Sequence, residues 1–421
     1  MAGVSDDRRP GEIASVPVTE HVPSAHLTVP TVLVTLIGPD RSGVSTRVFE
    51  VLSGAEVEIV DVEQLVVRGR LVLSVLLTEP ENLDAVAHAV RVAGEELGLD
   101  VSVERGDGDN RPRRVGRSQV TVLGHPLRPR AMAAITAGIK TAGGNIDRIL
   151  RLARYPVTAL RLEVSGADPD QLQSDLAEIA FAHGVDLAVE ERGILRHAQR
   201  LVVMDVDSTL IQGEVIEMLA EHAGCADEVA AVTEAAMRGE LDFEESLRSR
   251  VATLEGVPSS ALDDVHAHLV YTPGARTMIR TLKRLGYRFA LVSGGFTQII
   301  ERIAEDLGID YYAGNELEIV EGRLTGRVVG DVVDRAGKAD ALRRFAADAR
   351  IGLKNTVAVG DGANDLDMLA AAGLGIAFNA KPVVRGQART SLNSPYLDSI
   401  VYLLGITREE VEAADADDQL G

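Results

Sequence analysis

Cysteine, tryptophan and long apolar runs are absent or nearly absent from this chain. Its single cysteine, Cys225, cannot form a disulfide within the chain, which favours a reducing compartment. Cys225 lies in an alanine-rich helical stretch, as is typical of a small packing residue. No apolar run approaches the roughly 18 residues that cross a bilayer, and residues 6–9, Asp-Asp-Arg-Arg, do not resemble a secretion leader. We therefore expect a cytoplasmic protein.

Negative charge exceeds positive charge, and lysine is scarce. Aspartate and glutamate outnumber lysine and arginine by 64 to 43, which gives a formal net charge of −21. So acidic a protein is not attracted to nucleic acid or to an anionic membrane, and we expect neither as a partner. Lysine occurs only at positions 140, 283, 338, 354 and 381. Because lysine and arginine are not interchangeable at a binding site, a lysine beside a motif is informative here.

One apolar stretch, Leu201–Met204, ends on two aspartates that are one residue apart, Asp205 and Asp207. A short run of this kind predicts a buried parallel strand that delivers carboxylates to the carboxyl edge of its sheet. Strand alternation would point the two acids to opposite faces unless the chain turns sharply, and Ser208 and Thr209 favour a turn. Two close acids repel each other unless a cation or a shared proton intervenes, and Mg²⁺ suits that need. The simpler alternative is an aspartate-rich turn.

The N-terminal half repeats one order of elements. After residues 1–29, which we expect to form a flexible arm, the pattern strand, helix, strand, strand, helix, strand covers residues 30–105 and then residues 118–191. A period of about 90 residues predicts two duplicated α+β domains of the ferredoxin-like type. A chain of 421 residues has room for these and for a further domain.

The first repeat resembles an ACT domain, a small regulatory module that often binds amino acids. The likeness depends on the order of elements and on the loop 38–43, Gly-Pro-Asp-Arg-Ser-Gly. Glycines there would let backbone N–H groups approach a carboxylate at a helix N-terminus, so Gly38, Asp40 and Gly43 are candidate residues for binding an effector such as L-serine. The second repeat reads Gly-His-Pro-Leu-Arg-Pro over residues 124–129 and lacks the aspartate and the second glycine. Alternatively, both repeats are scaffolds whose sheets form a homo-oligomer, with a dimer as the first choice.

The remainder, residues 192–408, predicts an α/β domain followed by an acidic tail, residues 409–421. A charged connector over residues 192–200 reads as a helix, and residues 213–270 read as a helical cap inserted directly after the Asp205 strand. Strands then alternate with helices, up to a last predicted strand over residues 375–378. Such alternation is typical of a doubly wound, Rossmann-like parallel sheet.

Four different short motifs lie at the predicted strand ends and helix starts of this domain: residues 205–209, 291–295, 337–339 and 360–365. Alone, a serine before two glycines is usually a turn, and a lysine is usually a solvated charge. Together and in this order they are similar to the motifs of the haloacid dehalogenase superfamily of phosphotransferases. The segment from residue 201 to residue 404 most resembles the phosphoserine phosphatases of that superfamily.

The resemblance implies a role for each motif residue. Asp205 would be the nucleophile that accepts the phosphoryl group, and Asp207 would protonate the leaving alkoxide and then deprotonate water. Mg²⁺ would be held by Asp205, the backbone carbonyl of Asp207 and Asp361, with Asp365 in support. A further set would bind the phosphoryl oxygens and offset their charge: Ser293, Gly294, Lys338 and Asn364.

The resemblance also assigns substrate selection to the cap. Glu214 would receive the substrate ammonium, Arg250 would grip its carboxylate with a planar guanidinium, and Met237 and Phe243 would exclude water. Taken singly, each has an ordinary explanation: a helix-start acid, a solvated charge and cap core. The implied activity is Mg²⁺-dependent hydrolysis of O-phospho-L-serine, the last step of L-serine biosynthesis. The alternatives are a related enzyme acting on another small phosphate ester such as phosphohomoserine, and a non-catalytic amino-acid sensor.

Overall fold

The computed structural model describes residues 30–108, 116–191, 200–237 and 240–412. The chain divides into two compact units, residues 1–113 and residues 114–421. The predicted arm, almost all of the predicted connector and the tail beyond residue 412 lie outside the described residues. Within the described ranges, no helix is both long enough and apolar enough to cross a membrane.

The first unit is an antiparallel sheet covered on one face by two helices. Apolar residues alternate along its strands, so that Val32, Val34 and Leu36 are buried together with residues of both helices. The sheet order is β2-β3-β1-β4. The elements follow the predicted order: β1 (Pro30–Pro39), α1 (Val44–Leu52), β2 (Ile59–Val67), β3 (Arg70–Thr78), α2 (Leu83–Leu97) and β4 (Asp100–Asp107).

The second unit begins with the same arrangement. Its sheet order is β8-β5-β7-β6, and both helices begin with a proline in their first turn, where the missing N–H costs nothing. The two ferredoxin-like repeats are therefore confirmed. The elements are β5 (Arg117–Gly124), α3 (Pro129–Thr141), β6 (Asn145–Ala153), β7 (Thr158–Ser165), α4 (Pro169–His183) and β8 (Asp186–Glu191).

The rest of the second unit is the expected doubly wound sheet. Its strands β10, β9, β13, β14 and β15 are parallel neighbours in that order, and an antiparallel hairpin of β11 and β12 extends one edge. The strands are β9 (Leu201–Met204), β10 (Arg288–Phe296), β11 (Tyr311–Val320), β12 (Arg323–Val329), β13 (Thr356–Gly360), β14 (Leu374–Phe378) and β15 (Thr390–Leu392). The helices after the cap are α9 (Ala275–Arg284), α10 (Thr297–Leu307), α11 (Arg335–Asp348), α12 (Leu366–Ala371), α13 (Pro382–Arg385) and α14 (Ser399–Leu403).

The predicted cap is helical, as expected. Its helices are α5 (Val215–Ala223), α6 (Ala226–Met237), α7 (Phe243–Ala252) and α8 (Ser260–Ala267). Backbone hydrogen bonds attach the segment after α7 to the hairpin: Gly256 N donates to Leu324 O (2.8 Å), and Leu324 N donates to Val257 O (2.9 Å). The cap is thus anchored to an arm of the main sheet.

One prediction was wrong: the strand at residues 375–378 is not the last. Strand β15 follows it and pairs with β8 of the second repeat, with Ser391 opposite Leu187. In the part of the chain that the structure describes, this pairing joins the two sheets into one of eleven strands. Asp186 lies at the join, where it accepts hydrogen bonds from the backbone N (2.9 Å) and side-chain Nδ2 (2.5 Å) of Asn393. The second repeat is therefore built into the α/β domain.

Candidate functional site

The predicted sharp turn after β9 brings two carboxylates to one cavity. Residues Val206–Leu210 form a single tight turn in which Ser208 has a left-handed backbone (φ 56°). Ser208 N donates to Gly213 O (3.0 Å), which closes the turn. As a result, Asp205 and Asp207 both line a cavity of about 180 Å³ beneath the cap.

Three carboxylates converge at this cavity, and two of them, Asp205 and Asp361, line it. Oxygens of Asp205, Asp361 and Asp365 lie within 4.8 Å of one another. Burial raises the pKa of Asp205 well above its ordinary value; the charge of Lys338 opposes the shift, and Asp365 and Asp207 add to it. Burial and the nearby Asp365 likewise raise the pKa of Asp361 to about 6. A set of crowded carboxylate oxygens fits a hard divalent cation such as Mg²⁺, which would relieve their repulsion.

Lys338 is the internal cation of the cluster. The side chain is 1% exposed, and its Nζ lies 2.8 Å from Asp205 Oδ1 and 2.7 Å from Asp365 Oδ1. Burial alone would lower the pKa of Lys338, but the charges of Asp205 and Asp365 and their hydrogen bonds raise it instead. Lys338 is the fourth residue of α11, whose N-terminus is capped by the Asp334 carboxylate accepting from Gly337 N (2.8 Å).

Asp207 is held apart from the three-carboxylate cluster. Its Oδ1 accepts from Val215 N (2.8 Å), and its Oδ2 accepts from Ser293 Oγ (3.0 Å). Burial raises the pKa of Asp207, although these two hydrogen bonds oppose the shift. A buried carboxyl with a raised pKa that faces a cavity is suited to donating a proton.

The predicted phosphate-binding residues line the cavity or touch its walls. The cavity is lined by Lys338, Gly294 and Asn364. Ser293 lies within β10 and is buried, with 1% of its surface exposed. Gly294 lies directly under the cap, since a Cβ added there would stand 2.9 Å from Phe243 Cζ. A side chain at this position would require Phe243 to shift.

Cap residues of opposite charge enclose the other side. Glu214 and Arg250 line the cavity together with Phe243 and Leu247. Burial, reinforced by the Asp207 charge, raises the pKa of Glu214 to about 7, while a hydrogen bond from Ser208 Oγ (3.0 Å) opposes the shift. Burial also lowers the pKa of Arg250. Met237 is the last residue of α6, and its side chain lies outside the described part of the structure.

The candidate effector residues belong to the first unit, in the loop between β1 and α1. A Cβ added to Gly38 would stand 2.5 Å from Leu99 Cδ2, and Gly43 precedes α1 with a left-handed φ of 92°. The backbone N of Asp40 donates to Gly69 O (2.7 Å), and its side chain is exposed. Both glycines therefore have a structural reason to be there, whether or not the loop binds a ligand.

Two residues that shape the site were not predicted from the sequence. Thr209 was interpreted only as a turn residue, yet it is fully buried and its Oγ1 donates to Asp361 Oδ1 (2.9 Å). Its backbone O accepts from Thr272 Oγ1 (2.7 Å), which ties the turn to the end of the cap. The position of Thr209 in the motif that begins with Asp205 was the available signal; nothing in the sequence indicates the role of Thr272.

The fold and the site together define a class. Residues 202–370 match the family model of haloacid dehalogenase-like hydrolases, and residues 30–104 and 117–190 each match an ACT domain. This chain is a hydrolase of that class with two ACT domains.

Curated relatives narrow the class to a family. The chain is 60% identical over 397 residues to a phosphoserine phosphatase of Streptomyces coelicolor, covering 93% of this chain and 96% of the relative. It is 53% identical over 393 residues to a phosphoserine phosphatase of Mycobacterium tuberculosis, covering 92% and 96%. A crystal structure of a probable phosphoserine phosphatase from Vibrio cholerae superposes with a TM-score of 0.54 at 38% identity, covering 68% of this chain and 86% of that one. The chain belongs to the phosphoserine phosphatase family.

Proposed function

We propose that this chain hydrolyses O-phospho-L-serine to L-serine and phosphate, which would complete L-serine biosynthesis. The observation that carries the proposal is a single cavity lined by two chemically different sets of residues. One set contains Asp205, Asp207 and Lys338, as phosphoryl transfer requires, and the other contains Glu214 and Arg250, which match the ammonium and carboxylate of an amino acid. The reducing, cytoplasmic location expected from the single cysteine stays a prediction.

In the proposed reaction, a carboxylate oxygen of Asp205 attacks phosphorus and the bond from phosphorus to the serine oxygen breaks. Asp207 gives its proton to that oxygen, so that serine leaves as an alcohol. Asp207 then takes a proton from water, which attacks the phosphorus of the aspartyl phosphate. The bond from phosphorus to the Asp205 oxygen breaks, which regenerates the Asp205 carboxylate and releases inorganic phosphate. The raised pKa of Asp207 favours the protonated form that the first step needs.

The other residues of the site would place hydrogen-bond donors and positive charge around the phosphoryl group. Lys338, Asn364 and the Gly294 N–H would donate to the phosphoryl oxygens, whereas the one hydroxyl hydrogen of Ser293 points at Asp207. Lys338 already lies 2.8 Å from the attacking carboxylate. Mg²⁺ held by Asp205, Asp361 and the backbone carbonyl of Asp207, with Asp365 in support, would supply further positive charge to those oxygens.

Turnover of a substrate panel by a matched pair of cap variants tests this proposal. Arg250→Ala should lower kcat/KM for phosphoserine by about 100-fold, since a charged hydrogen-bonded contact is worth roughly 1.5–3 kcal/mol. It should affect p-nitrophenyl phosphate, which has no carboxylate, far less. Arg248→Ala is the control, because Arg248 lies on the same helix but pairs with Glu244 at the surface (2.7 Å).

Three outcomes would count against the proposal. Equal losses on both substrates in Arg250→Ala would remove Arg250 from the substrate site. Faster turnover of phosphohomoserine by the parent enzyme would reassign the substrate. Phosphate release by Asp205→Asn at the parent rate would exclude Asp205 as the nucleophile.

We also propose that the ACT domains bind an amino-acid effector, L-serine being the first choice, and that the enzyme is a homodimer. The family match of both repeats supports effector binding, and the loop 38–43 is the candidate place in the first. Isothermal titration of L-serine into the full chain should give a signal that Asp40→Ala weakens. Absence of heat with the parent chain would remove L-serine as the effector, and sedimentation analysis gives the oligomer size independently.

A further inference from the structure

One buried amide outside the cavity connects to the catalytic machinery. Asn315 lies on β11, opposite Phe296 of β10, and is 1% exposed. It is not among the residues that line the cavity. A buried polar side chain is costly unless its hydrogen bonds are made, so the partners of Asn315 indicate what it does.

The amide of Asn315 bridges two backbone segments. Its Nδ2 donates to Gly294 O (2.7 Å), and its Oδ1 accepts from Val333 N (2.8 Å). A backbone carbonyl can only accept and a backbone N–H can only donate, so the orientation of the amide is determined by its partners. Val333 precedes Asp334, the cap of the helix that carries Lys338.

The Gly294 carbonyl belongs to the same planar peptide as the N–H of Gly295. That N–H donates to Ser293 Oγ (2.7 Å), and Ser293 Oγ donates to Asp207 Oδ2 (3.0 Å). A hydroxyl has one hydrogen, and accepting from Gly295 leaves the Ser293 hydrogen free to point at Asp207. An unbroken chain of hydrogen bonds therefore runs from Asn315 through the Gly294–Gly295 peptide and Ser293 to Asp207.

We propose that Asn315 is a positioning residue for the proton transfer by Asp207. It holds the Gly294–Gly295 peptide so that the Ser293 hydroxyl donates to one oxygen of Asp207, while Val215 N occupies the other oxygen. The proton-bearing carboxyl is thereby kept in one orientation toward the leaving oxygen. This role rests on the proposed function, since it requires Asp207 to be the general acid.

The proposed role of Asn315 can be tested by comparing two substrates whose leaving groups differ in acidity. An alkoxide leaving group needs the proton from Asp207, whereas p-nitrophenolate leaves without it. Asn315→Leu should lower the rate of the first step with phosphoserine by about 10- to 100-fold, the range seen when supporting hydrogen bonds are removed. The pre-steady-state burst of p-nitrophenol from p-nitrophenyl phosphate should change by no more than about threefold.

Gln298→Leu is the matched control. The Gln298 amide also bridges backbone groups, donating to Leu317 O (2.8 Å) and accepting from Leu317 N (3.3 Å), but it has no link to Ser293 or Asp207. This variant should leave the ratio of the phosphoserine and p-nitrophenyl phosphate rates unchanged. An equal drop in both rates in Asn315→Leu would show a purely structural role and overturn the proposal.

Asn315→Asp keeps the test decisive if the leucine variant does not fold. Its carboxylate can still accept from Val333 N but repels Gly294 O, whereas the protonated carboxyl can donate to Gly294 O as the amide did. Relative to the parent, its phosphoserine rate should therefore recover several-fold as the pH is lowered toward about pH 5, because burial raises a carboxyl pKa. No recovery would overturn the proposal. Failure of the parent enzyme to use phosphoserine would instead refute the proposed function, and the alkyl-to-aryl comparison could then be made with another alkyl phosphate.

Discussion

Replacing Lys338 by methionine would leave two buried carboxylates without their internal cation. The Lys338 side chain is 1% exposed, and those of its partners Asp205 and Asp365 are 6% and 0% exposed. Removing one member of a buried ion pair costs about 3–5 kcal/mol, because the remaining charge stays buried and uncompensated. Methionine is similar in length and apolar, so the loss of packing should be small. Such a loss corresponds to a fall on the order of 10 °C in the melting temperature of the second unit.

The pH dependence of this loss has a definite sign. Burial raises the folded-state pKa of Asp205 and raises that of Asp361 to about 6. A carboxyl whose folded pKa exceeds its unfolded value stabilises the fold at low pH, and that contribution is lost as the pH rises through the folded pKa. Without Lys338 these pKa values rise further. The deficit of Lys338→Met should therefore be small near pH 5 and largest near pH 8.

Thermal unfolding followed by far-ultraviolet circular dichroism, in metal-free buffer at about pH 5 and about pH 8, measures the effect. Lys354→Met is the control, since Lys354 is exposed in the same unit and should change stability by less than about 0.5 kcal/mol. Added Mg²⁺ should restore part of the lost stability by binding the folded state. A variant as stable as the parent near pH 8 without metal would refute the reasoning that Lys338 compensates the buried carboxylates.

Two further predictions concern the cap and the join between sheets. Gly294→Ala should lower kcat/KM about tenfold, because the new Cβ would stand 2.9 Å from Phe243 Cζ and hold the cap off the cavity. Steady-state kinetics checks this, and Gly352→Ala, where a Cβ meets nothing within 4 Å, should have no effect. Asp186 has its pKa raised from 3.8 to about 6 by burial, although Asn393 and Arg385 oppose the shift. Its ionisation therefore destabilises the fold as pH rises, by up to roughly 3 kcal/mol. Asp186→Asn should flatten the curve of unfolding free energy against pH between about pH 4 and about pH 7. Denaturant titrations at several pH values measure this curve, and a curve as steep as that of the parent would contradict the prediction.

The fold class was predicted from the sequence, and so was the proximity of the four motifs in the folded chain. This worked because the carboxyl ends of parallel strands meet at one edge of a sheet, so Asp205, Ser293 and Asp361 had to be neighbours once the strands were recognised. The sharp turn that Asp205 and Asp207 required was also foreseen from Ser208 and Thr209, and the structure contains it.

What escaped prediction depends on partners distant in sequence. Strand β15 has three residues, too few to show a period of two, and it is defined by its pairing with β14 and β8. Asn315 reads as an ordinary strand residue, since its partners Gly294 and Val333 are identified only by folding. The same holds for Asp186, whose acceptor role depends on Asn393, 207 positions away.

The shared sheet makes the two repeats unequal. Leu123, Leu152 and Ala159 of the second repeat are buried in one apolar cluster with Leu397 and Val401 of the α/β domain. A truncated chain that begins at residue 200 would lack the second-repeat residues of this cluster and expose its remaining apolar side chains. It would also leave the edge of β15 open to pairing with other molecules. A truncated form for crystallisation or assay should begin before residue 116, at the boundary between the compact units. It then retains the second repeat together with the catalytic domain.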